Sequence, residues 1–295
     1  MKKLRRPDQT GKIVIITGAN SGIGFEAARQ MAAMGAHVIL ACRNIERGRN
    51  ALEMIKRQEP GSAVELMELD LASQSSIKRF SNEFINRYKR LDTLINNAGI
   101  MATPRMFTED GFELQLGTNH LGHFSLTGLL LNRLLETAGS RVVTITSIAH
   151  FRGIIDLNDL NLEKRYSRMG AYRRSKLANM LFAYELDRRL KASSQKTISV
   201  AVHPGITSTK ILWLPVIVEQ LKQVVLTSPA RGALSTIVGA TDPGLRGGEY
   251  IAPGGYRQMI GFPEILESSE MSHDPELATR LWEISEGLTG IKFKL

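Results

Sequence analysis

Thr17-Gly18-Ala19-Asn20-Ser21-Gly22-Ile23-Gly24 follows directly on the β-branched run Ile13-Val14-Ile15-Ile16 and leads into an amphipathic segment, Gly24–Met34. A strand, a glycine turn and a helix in that order are the opening of a dinucleotide-binding unit. Glycines let the backbone turn sharply and come close to a pyrophosphate. The helix start faces that charge with free N–H groups and the positive end of its dipole. The spacing is G-x-x-x-G-x-G rather than G-x-G-x-x-G, and glycines serving only a turn are the competing explanation. Placement immediately after the first strand favours phosphate binding, with the loop of Gly18, Asn20, Ser21, Gly22, Ile23 and Gly24 against the cofactor.

Outward from that loop the chain alternates. Strand-like runs at Lys12–Thr17, His37–Ala41, Ala63–Leu69, Thr93–Asn96, Arg141–Thr146 and Ile198–His203 are separated by helical patterns at Gly24–Met34, Glu46–Gln58, Ser75–Tyr88, Phe112–Glu136 and Tyr172–Leu190. Such alternation predicts an α/β fold of Rossmann type, a doubly wound parallel sheet covered on both faces. No fixed-period repeat and no Gly/Ser- or Pro-rich linker interrupts it. Residues 1–295 are therefore expected to form a single domain with a basic N-terminal tail at 1–10, a less regular insertion at 151–170 and a substrate lid at 208–228.

Composition narrows the function classes. Hydrophobic residues at 43% against 23% charged exclude a disordered, collagen-like or coiled-coil chain. A net charge of +9 suits an anionic ligand, a nucleic acid or an anionic membrane surface. No recognition-helix or aromatic-basic signature accompanies it, so no nucleic-acid partner is expected. The longest central apolar run, Ile211–Val218, has eight residues where a spanning helix needs about twenty, so no transmembrane segment is expected. A lone Cys42 cannot close an intramolecular disulfide and suits a reducing, cytoplasmic setting. His120 and His123 stand three apart with no third ligand nearby; they read as interior histidines, and no metal is expected.

The chemistry sits in Tyr172-Arg173-Arg174-Ser175-Lys176. Tyrosine titrates near 10, so at neutral pH it can hold a proton for a carbonyl oxygen but is slow to act as a base. Lys176 projects from the same helical face one turn on. A unit charge about 4 Å away at an effective dielectric near 20 is worth roughly 4 kcal/mol, up to about three pK units before solvation reduces it. The expectation is a phenol moved toward 7, usable as both general acid and general base.

With Asn96-Asn97-Ala98-Gly99 after the fourth strand, Asn119 inside a helix, Ser147 after the fifth strand and Pro204-Gly205 after the sixth, the chain resembles the short-chain dehydrogenase/reductase family from roughly Lys12 to Ala252. The resemblance implies that Ser147 holds the substrate oxygen and Tyr172 exchanges its proton. It also implies that Lys176 lowers the tyrosine pKa and binds the nicotinamide ribose, and that Asn119 holds a proton-relay water. Asp70 and Leu71 would contact the adenine, Asn97, Ala98 and Gly99 would pass beneath the cofactor, and Pro204 and Gly205 would border it. Thr209 fits P-G-x-x-x-T and would bond the nicotinamide carboxamide. Plainer roles compete: Ser147 and Thr209 as caps, Asp70 as the cap of the next helix, Gly99 as a turn residue. A non-catalytic NADP-sensing scaffold on this fold has no need of the complete proton-transfer set.

The end of the second strand decides the cofactor. An acid there would bind the ribose diol of NAD, yet Ala36–Ile45 contains none. Ala41-Cys42-Arg43-Asn44 instead offers Arg43, with Asn44 beside it. Charge-assisted bonds to a 2′-phosphate are worth roughly 1.5–3 kcal/mol, about ten- to hundredfold in affinity. NADP(H) is expected, the alternative being that Arg43 is a solvated charge at a helix start.

Ser147 and Tyr172 lie 25 positions apart, with Phe151-Arg-Gly and Asp156-Leu-Asn-Asp-Leu between them. Together with Leu116-Gly-Thr-Asn-His-Leu-Gly-His-Phe124 and Ser175–Phe182, this resembles the retinol-dehydrogenase-like branch. The branch implies a lipophilic aldehyde, ketone or alcohol as substrate. Lys210–Leu226 would then be a lid and apolar wall, with a core helix or a membrane-resting helix as alternatives, so peripheral membrane contact is left open. Animal members usually carry an N-terminal membrane anchor that is not read here, which counts against a retinoid substrate. The resemblance also implies a homodimer or homotetramer through the helices at Phe112–Glu136 and Tyr172–Leu190.

Overall fold

Strands buried on both faces must be apolar at successive positions rather than alternate ones. Val14, Ile15 and Ile16 meet that condition, all fully buried, with Val14 and Ile16 packing into one apolar layer and Ile15 into the other. The structure is a computed structural model that describes residues 7–205 and 228–295. Its eight-stranded sheet runs β3-β2-β1-β4-β5-β6-β7-β8. The strands are β1 (Ile13–Thr17), β2 (His37–Cys42), β3 (Val64–Glu68), β4 (Thr93–Asn96), β5 (Arg141–Ile145), β6 (Ile198–Val202), β7 (Tyr250–Pro253) and β8 (Pro263–Ile265). β1 to β7 pair in parallel, and only β8 is antiparallel.

Five helices follow the predicted order: α1 (Gly22–Ala33), α2 (Ile45–Gln58), α3 (Gln74–Arg87), α5 (Gly122–Leu135) and α6 (Arg168–Ala192), with a short turn, α4 (Leu114–Leu116), before α5. Ala27 and Met31 of α1 share one layer with Ile237 of a further helix, Pro229–Thr241. Phe80, Leu130, Phe182 and Trp282 fill the other layer. The strand order reverses between β1 and β4, and a crevice beyond the C-terminal strand ends at such a reversal is the usual ligand position of this architecture.

Three expectations change in detail. The continuous helix expected at Phe112–Glu136 is broken into α4, a π-turn at Gly117–Leu121 and α5. Close packing is the reason: a Cβ on Gly117 would lie 2.5 Å from Thr108 Cγ2, and one on Gly122 would lie 2.4 Å from the Leu71 carbonyl oxygen. α6 starts at Arg168 rather than Tyr172, because Ser167 caps it by accepting from Gly170 N–H at 3.3 Å. Two helices, Pro229–Thr241 and Pro275–Thr289, and the strands β7 and β8 lie where no element was expected. Ser228 before Pro229 and Asp274 before Pro275 were the available signals, a side-chain cap followed by proline at the first helical position.

Part of the shared surface of α5 and α6 is filled by the chain's own C-terminus. Trp282 packs 5.1 Å from Phe124 and 5.8 Å from Phe182, and a Cβ on Gly128 would meet Ile291 Cγ2 at 2.6 Å. No helix among the described residues is long and apolar enough to cross a membrane. Thr209 and the lid region up to 227, like the first six residues of the basic tail, lie outside the described residues.

Candidate active site

The glycine loop is held by the end of β4. Thr17 Oγ1 accepts from the N–H groups of Asn97 and Ala98, both at 2.9 Å, and Asn97 Nδ2 donates to the Thr17 carbonyl at 2.7 Å. Gly18 has φ +65°, and a Cβ there would sit 3.0 Å from Ala98. Gly24 is limited by contact instead: its Cβ would lie 2.4 Å from Asn97 Nδ2 and 2.5 Å from the Gly18 oxygen. Asn44, Ser73 and Ser167 cap their helices with side-chain oxygens, whereas Ser21 at the start of α1 makes no such bond. The first N–H groups of α1 thus remain available beside Asn20, Gly22 and Ile23, which fits a pyrophosphate in that position.

Arg43 extends from the end of β2 with its side chain 71% exposed, 4.0 Å from Asp70 Oδ2. Its neighbour Asn44 caps α2 by accepting from Arg47 N–H at 2.8 Å. Asp70 does not cap α3, which Ser73 does; its carboxylate accepts from Ala72 N–H at 2.9 Å. Leu71 is buried with its carbonyl against Gly122. Cys42 is buried too, and burial pushes its thiol up to about 11. Beyond β6, Pro204 is partly exposed, and Gly205 at φ +78° leaves room for the Met259 carbonyl, which a Cβ would meet at 2.6 Å.

The proposed catalytic groups converge where β5 meets α6. Ser147 opens a 3₁₀ turn, Ile148–Arg152, and its Oγ accepts from Ala149 N–H at 3.2 Å. Its side chain is close enough to the Tyr172 phenol to draw that group's pKa down against the burial that raises it. Lys176 Nζ donates to the Ile145 carbonyl at 3.1 Å and lies 5.8 Å from the centre of the Tyr172 ring. Thr146 Oγ1 donates to the Lys176 carbonyl at 2.9 Å, and Asn179 Nδ2 to the Ile145 carbonyl at 3.0 Å, so strand end and helix are laced together.

One electrostatic expectation is corrected. Burial raises the Tyr172 pKa above the usual phenol value, opposed by the Ser147 side chain, rather than Lys176 drawing it toward 7. Burial also pushes the ammonium down, to about 8, which leaves it mostly charged at neutral pH, and Lys176 is not among the influences that shift Tyr172.

Asn119 lies in the π-turn, and its side chain bridges Ile100, in the loop after β4, and Ser175 of α6. Nδ2 donates to the Ile100 carbonyl and to Ser175 Oγ, and Oδ1 accepts from Ile100 N–H, all at 2.9 Å. Ser175 in turn donates to the Tyr172 carbonyl at 2.8 Å. A Cβ on Gly99 would stand 3.4 Å from both Asn119 Oδ1 and Lys176 Nζ, so these two polar atoms border the space left open above that glycine.

Sequence reasoning passed over two supports. His123 donates from Nδ1 to the Asn119 carbonyl and accepts from the Thr17 hydroxyl at Nε2, each at 2.9 Å, joining the glycine loop to the π-turn. Burial pushes it down to about 4 and His120 to about 3, so both are neutral interior imidazoles; His120 Nε2 meets Ser285 Oγ at 3.0 Å. The second support is a buried ion pair, Arg174 Nη2 to Glu113 Oε2 at 3.2 Å. Arg174 Nη1 also donates to the Asp159 carbonyl at 3.2 Å, and Asn161 Oδ1 accepts from Glu113 N–H at 2.9 Å. These bonds fasten the 151–170 insertion to α4 and α6. An arginine between Tyr172 and Lys176 was visible, but nothing in its spacing identified Glu113 as its partner.

An open glycine cradle at a strand-order reversal and a Ser–Tyr–Lys cluster beside it define a dinucleotide-dependent oxidoreductase of the Rossmann class. The family model described as short chain dehydrogenase matches residues 12–214, and the chain belongs to this family, in its retinol-dehydrogenase-like branch. Human retinol dehydrogenase 12 is 41% identical, the match covering 96% of this chain and 88% of that protein. Human retinol dehydrogenase 14 is 40% identical over 95% of this chain and 87% of its own length. Among solved structures, an uncharacterized protein from Mycobacterium Paratuberculosis superposes with a TM-score of 0.84 at 41% identity, covering 98% of this chain and 97% of that one. A short chain dehydrogenase from Shigella flexneri, at 24% identity and a TM-score of 0.69 over 88% of this chain and 97% of its own, shares the fold. The chain is thus an oxidoreductase acting between CH–OH and C=O groups with a nicotinamide cofactor.

Proposed function

We propose that this chain is an NADP(H)-dependent oxidoreductase that interconverts a lipophilic aldehyde or ketone and its alcohol. The observation that carries the reading is the convergence of Ser147, Tyr172 and Lys176 where β5 meets α6, with Asn119 across the gap above Gly99. When bound, the nicotinamide supplies or accepts the hydride. Ser147 Oγ orients the substrate oxygen, and Tyr172 holds the proton that this oxygen gains on reduction or gives up on oxidation. A phenol raised by burial is protonated at neutral pH, the state needed for reduction. Lys176 Nζ and Asn119 Oδ1 both border the gap above Gly99, where one water can pass a proton away from the tyrosine.

NADP(H) over NAD(H) rests on Arg43, exposed at the end of a β2 segment without an acid to hold a ribose diol. Gly18, Asn20, Ser21, Gly22, Ile23 and Gly24 would hold the pyrophosphate, and Asn44, Asp70 and Leu71 would line the adenosine side. Asn97, Ala98, Gly99, Pro204, Gly205 and Thr209 would border the nicotinamide half. A lipophilic substrate is supported by the retinol dehydrogenase relatives, whose names specify an apolar alcohol. A single domain and a cytoplasmic setting belong to the same reading. A homodimer or homotetramer through α5 and α6 would use the part of that surface which Trp282 and Ile291 leave uncovered.

Turnover of a series of aldehydes and ketones graded by chain length, followed through NADPH absorbance, tests the reading. Efficiency rising with lipophilicity is expected. Preference for small polar carbonyls would remove the substrate class, and equal use of NADH would remove the cofactor assignment.

A further inference from the structure

Beyond Ser147 itself, the turn it opens contains a fully buried imidazole with both nitrogens engaged. His150 Nδ1 meets the Ser147 carbonyl at 2.6 Å, and Nε2 lies 3.2 Å from Ser269 N–H, which is 119 positions away. A backbone N–H can only donate and a carbonyl can only accept, so Nε2 is the acceptor and the ring proton resides on Nδ1. The partners therefore fix one neutral tautomer, and burial, chiefly, pushes the ring down to about 4. His150 N–H donates to the same Ser147 carbonyl at 3.0 Å, so that oxygen is held twice.

Neither end of this link is free to move. On the near side, a Cβ on Gly153 would stand 2.7 Å from Leu177 Cβ and 2.8 Å from the Arg173 carbonyl, so the turn lies tightly on α6. The His150 ring meets Tyr250 of β7 edge-on at 5.4 Å. On the far side, Ser268 Oγ contacts Tyr184 of α6 at 2.8 Å and His273 Nε2 at 2.9 Å, which pins the C-terminal segment.

Resting on the oxidoreductase reading above, we propose that His150 is a positioning residue that uses the C-terminal segment at Ser269 as an anchor to set the backbone of Ser147, and through it the Ser147 hydroxyl. Loss of the anchor lets the serine shift relative to Tyr172. A displacement of about 1 Å at a reacting group can cost up to about a hundredfold in rate.

Two substitutions reach the same bond from opposite ends. His150→Phe keeps the ring and removes both hydrogen bonds. Ser269→Pro breaks the same contact from the other side, since it removes the donor N–H and sets Cδ in its place against Nε2: φ at Ser269 is −65°, as proline requires, and its Oγ has no hydrogen-bond partner to lose. Each is expected to lower kcat about tenfold or more while KM for NADPH stays within about twofold. The double variant is expected to be no slower than His150→Phe alone, because both act through one contact. His150→Asn, which retains a donor near the Nδ1 position, is expected to recover part of the rate. Unchanged kcat in either single variant, or multiplicative losses in the double, would overturn the proposal. Imidazole ¹⁵N shifts of the wild-type chain need no turnover: a neutral Nδ1–H ring at pH 6 is expected, and an Nε2–H or protonated ring would refute the link. If wild-type enzyme reduces no carbonyl yet shows that tautomer, the functional reading fails and the structural link stands.

Discussion

The two ends of the crevice are built by different physics. At the cofactor end, Gly18 and Gly24 are dictated by backbone geometry and near contacts, and the first turn of α1 is left with open N–H groups. At the proposed catalytic end, polar bonds between distant parts of the sequence hold the walls: Ser175 on Asn119, His123 between Asn119 and Thr17, and Arg174 on Glu113 beside them. The first end is specified by small residues that keep atoms out. The second is specified by buried polar groups bonded to one another across the fold, so single changes there propagate.

If the contrast holds, Tyr172→Phe produces the largest effect and confines it to chemistry. Turnover should fall about 10²- to 10⁴-fold, with NADPH binding by protein fluorescence nearly unchanged; equal turnover would remove the proton-transfer role. Next comes Arg174→Met, which leaves the buried Glu113 carboxylate without its counter-charge, held only by the Gln115 and Leu116 N–H groups and the Tyr166 hydroxyl. Denaturant unfolding should show a loss of about 3–5 kcal/mol, whereas a loss within about 0.5 kcal/mol, as surface changes give, would mean the insertion is not fastened by this pair.

Acid should also act through buried imidazoles. His120, His123, His150 and His203 are pushed below the ordinary histidine value, to about 3 or 4. The unfolded chain takes up these protons first, so stability is fully present above about 6.5 and falls as pH drops toward 4, each unit of depression contributing about 1.4 kcal/mol per ring. Melting temperature measured across that window should decline steeply; a flat profile would contradict neutral burial. The smallest effect belongs to the cofactor end. Arg43→Ala should weaken NADPH binding about ten- to hundredfold, leave NADH binding and melting temperature alone, and thereby erase the preference between the two.

Legibility in the sequence follows the same division. The glycine loop, the strand–helix alternation and the Tyr172–Lys176 spacing are local, and a short-range pattern carries its geometry with it: positive φ needs glycine, and four helical residues bring two side chains to one face. Glu113 with Arg174 and His150 with Ser269 are 61 and 119 positions apart, and no spacing rule relates them. The direction of the Tyr172 shift is not legible for a related reason. A charge pair can be counted from a helical wheel, but the burial that raises the phenol and lowers the ammonium depends on everything packed around them.

The linear chain thus determined the first six strands of the sheet, the glycine loop and the pairing of Tyr172 with Lys176 on one helical face, because each follows from steric rules acting within a few residues. Folding alone decided the π-turn under Asn119, the occupation of the α5–α6 surface by the C-terminus and the electrostatic state of Tyr172. Those depend on which distant atoms exclude water from a group and which distant partners satisfy it.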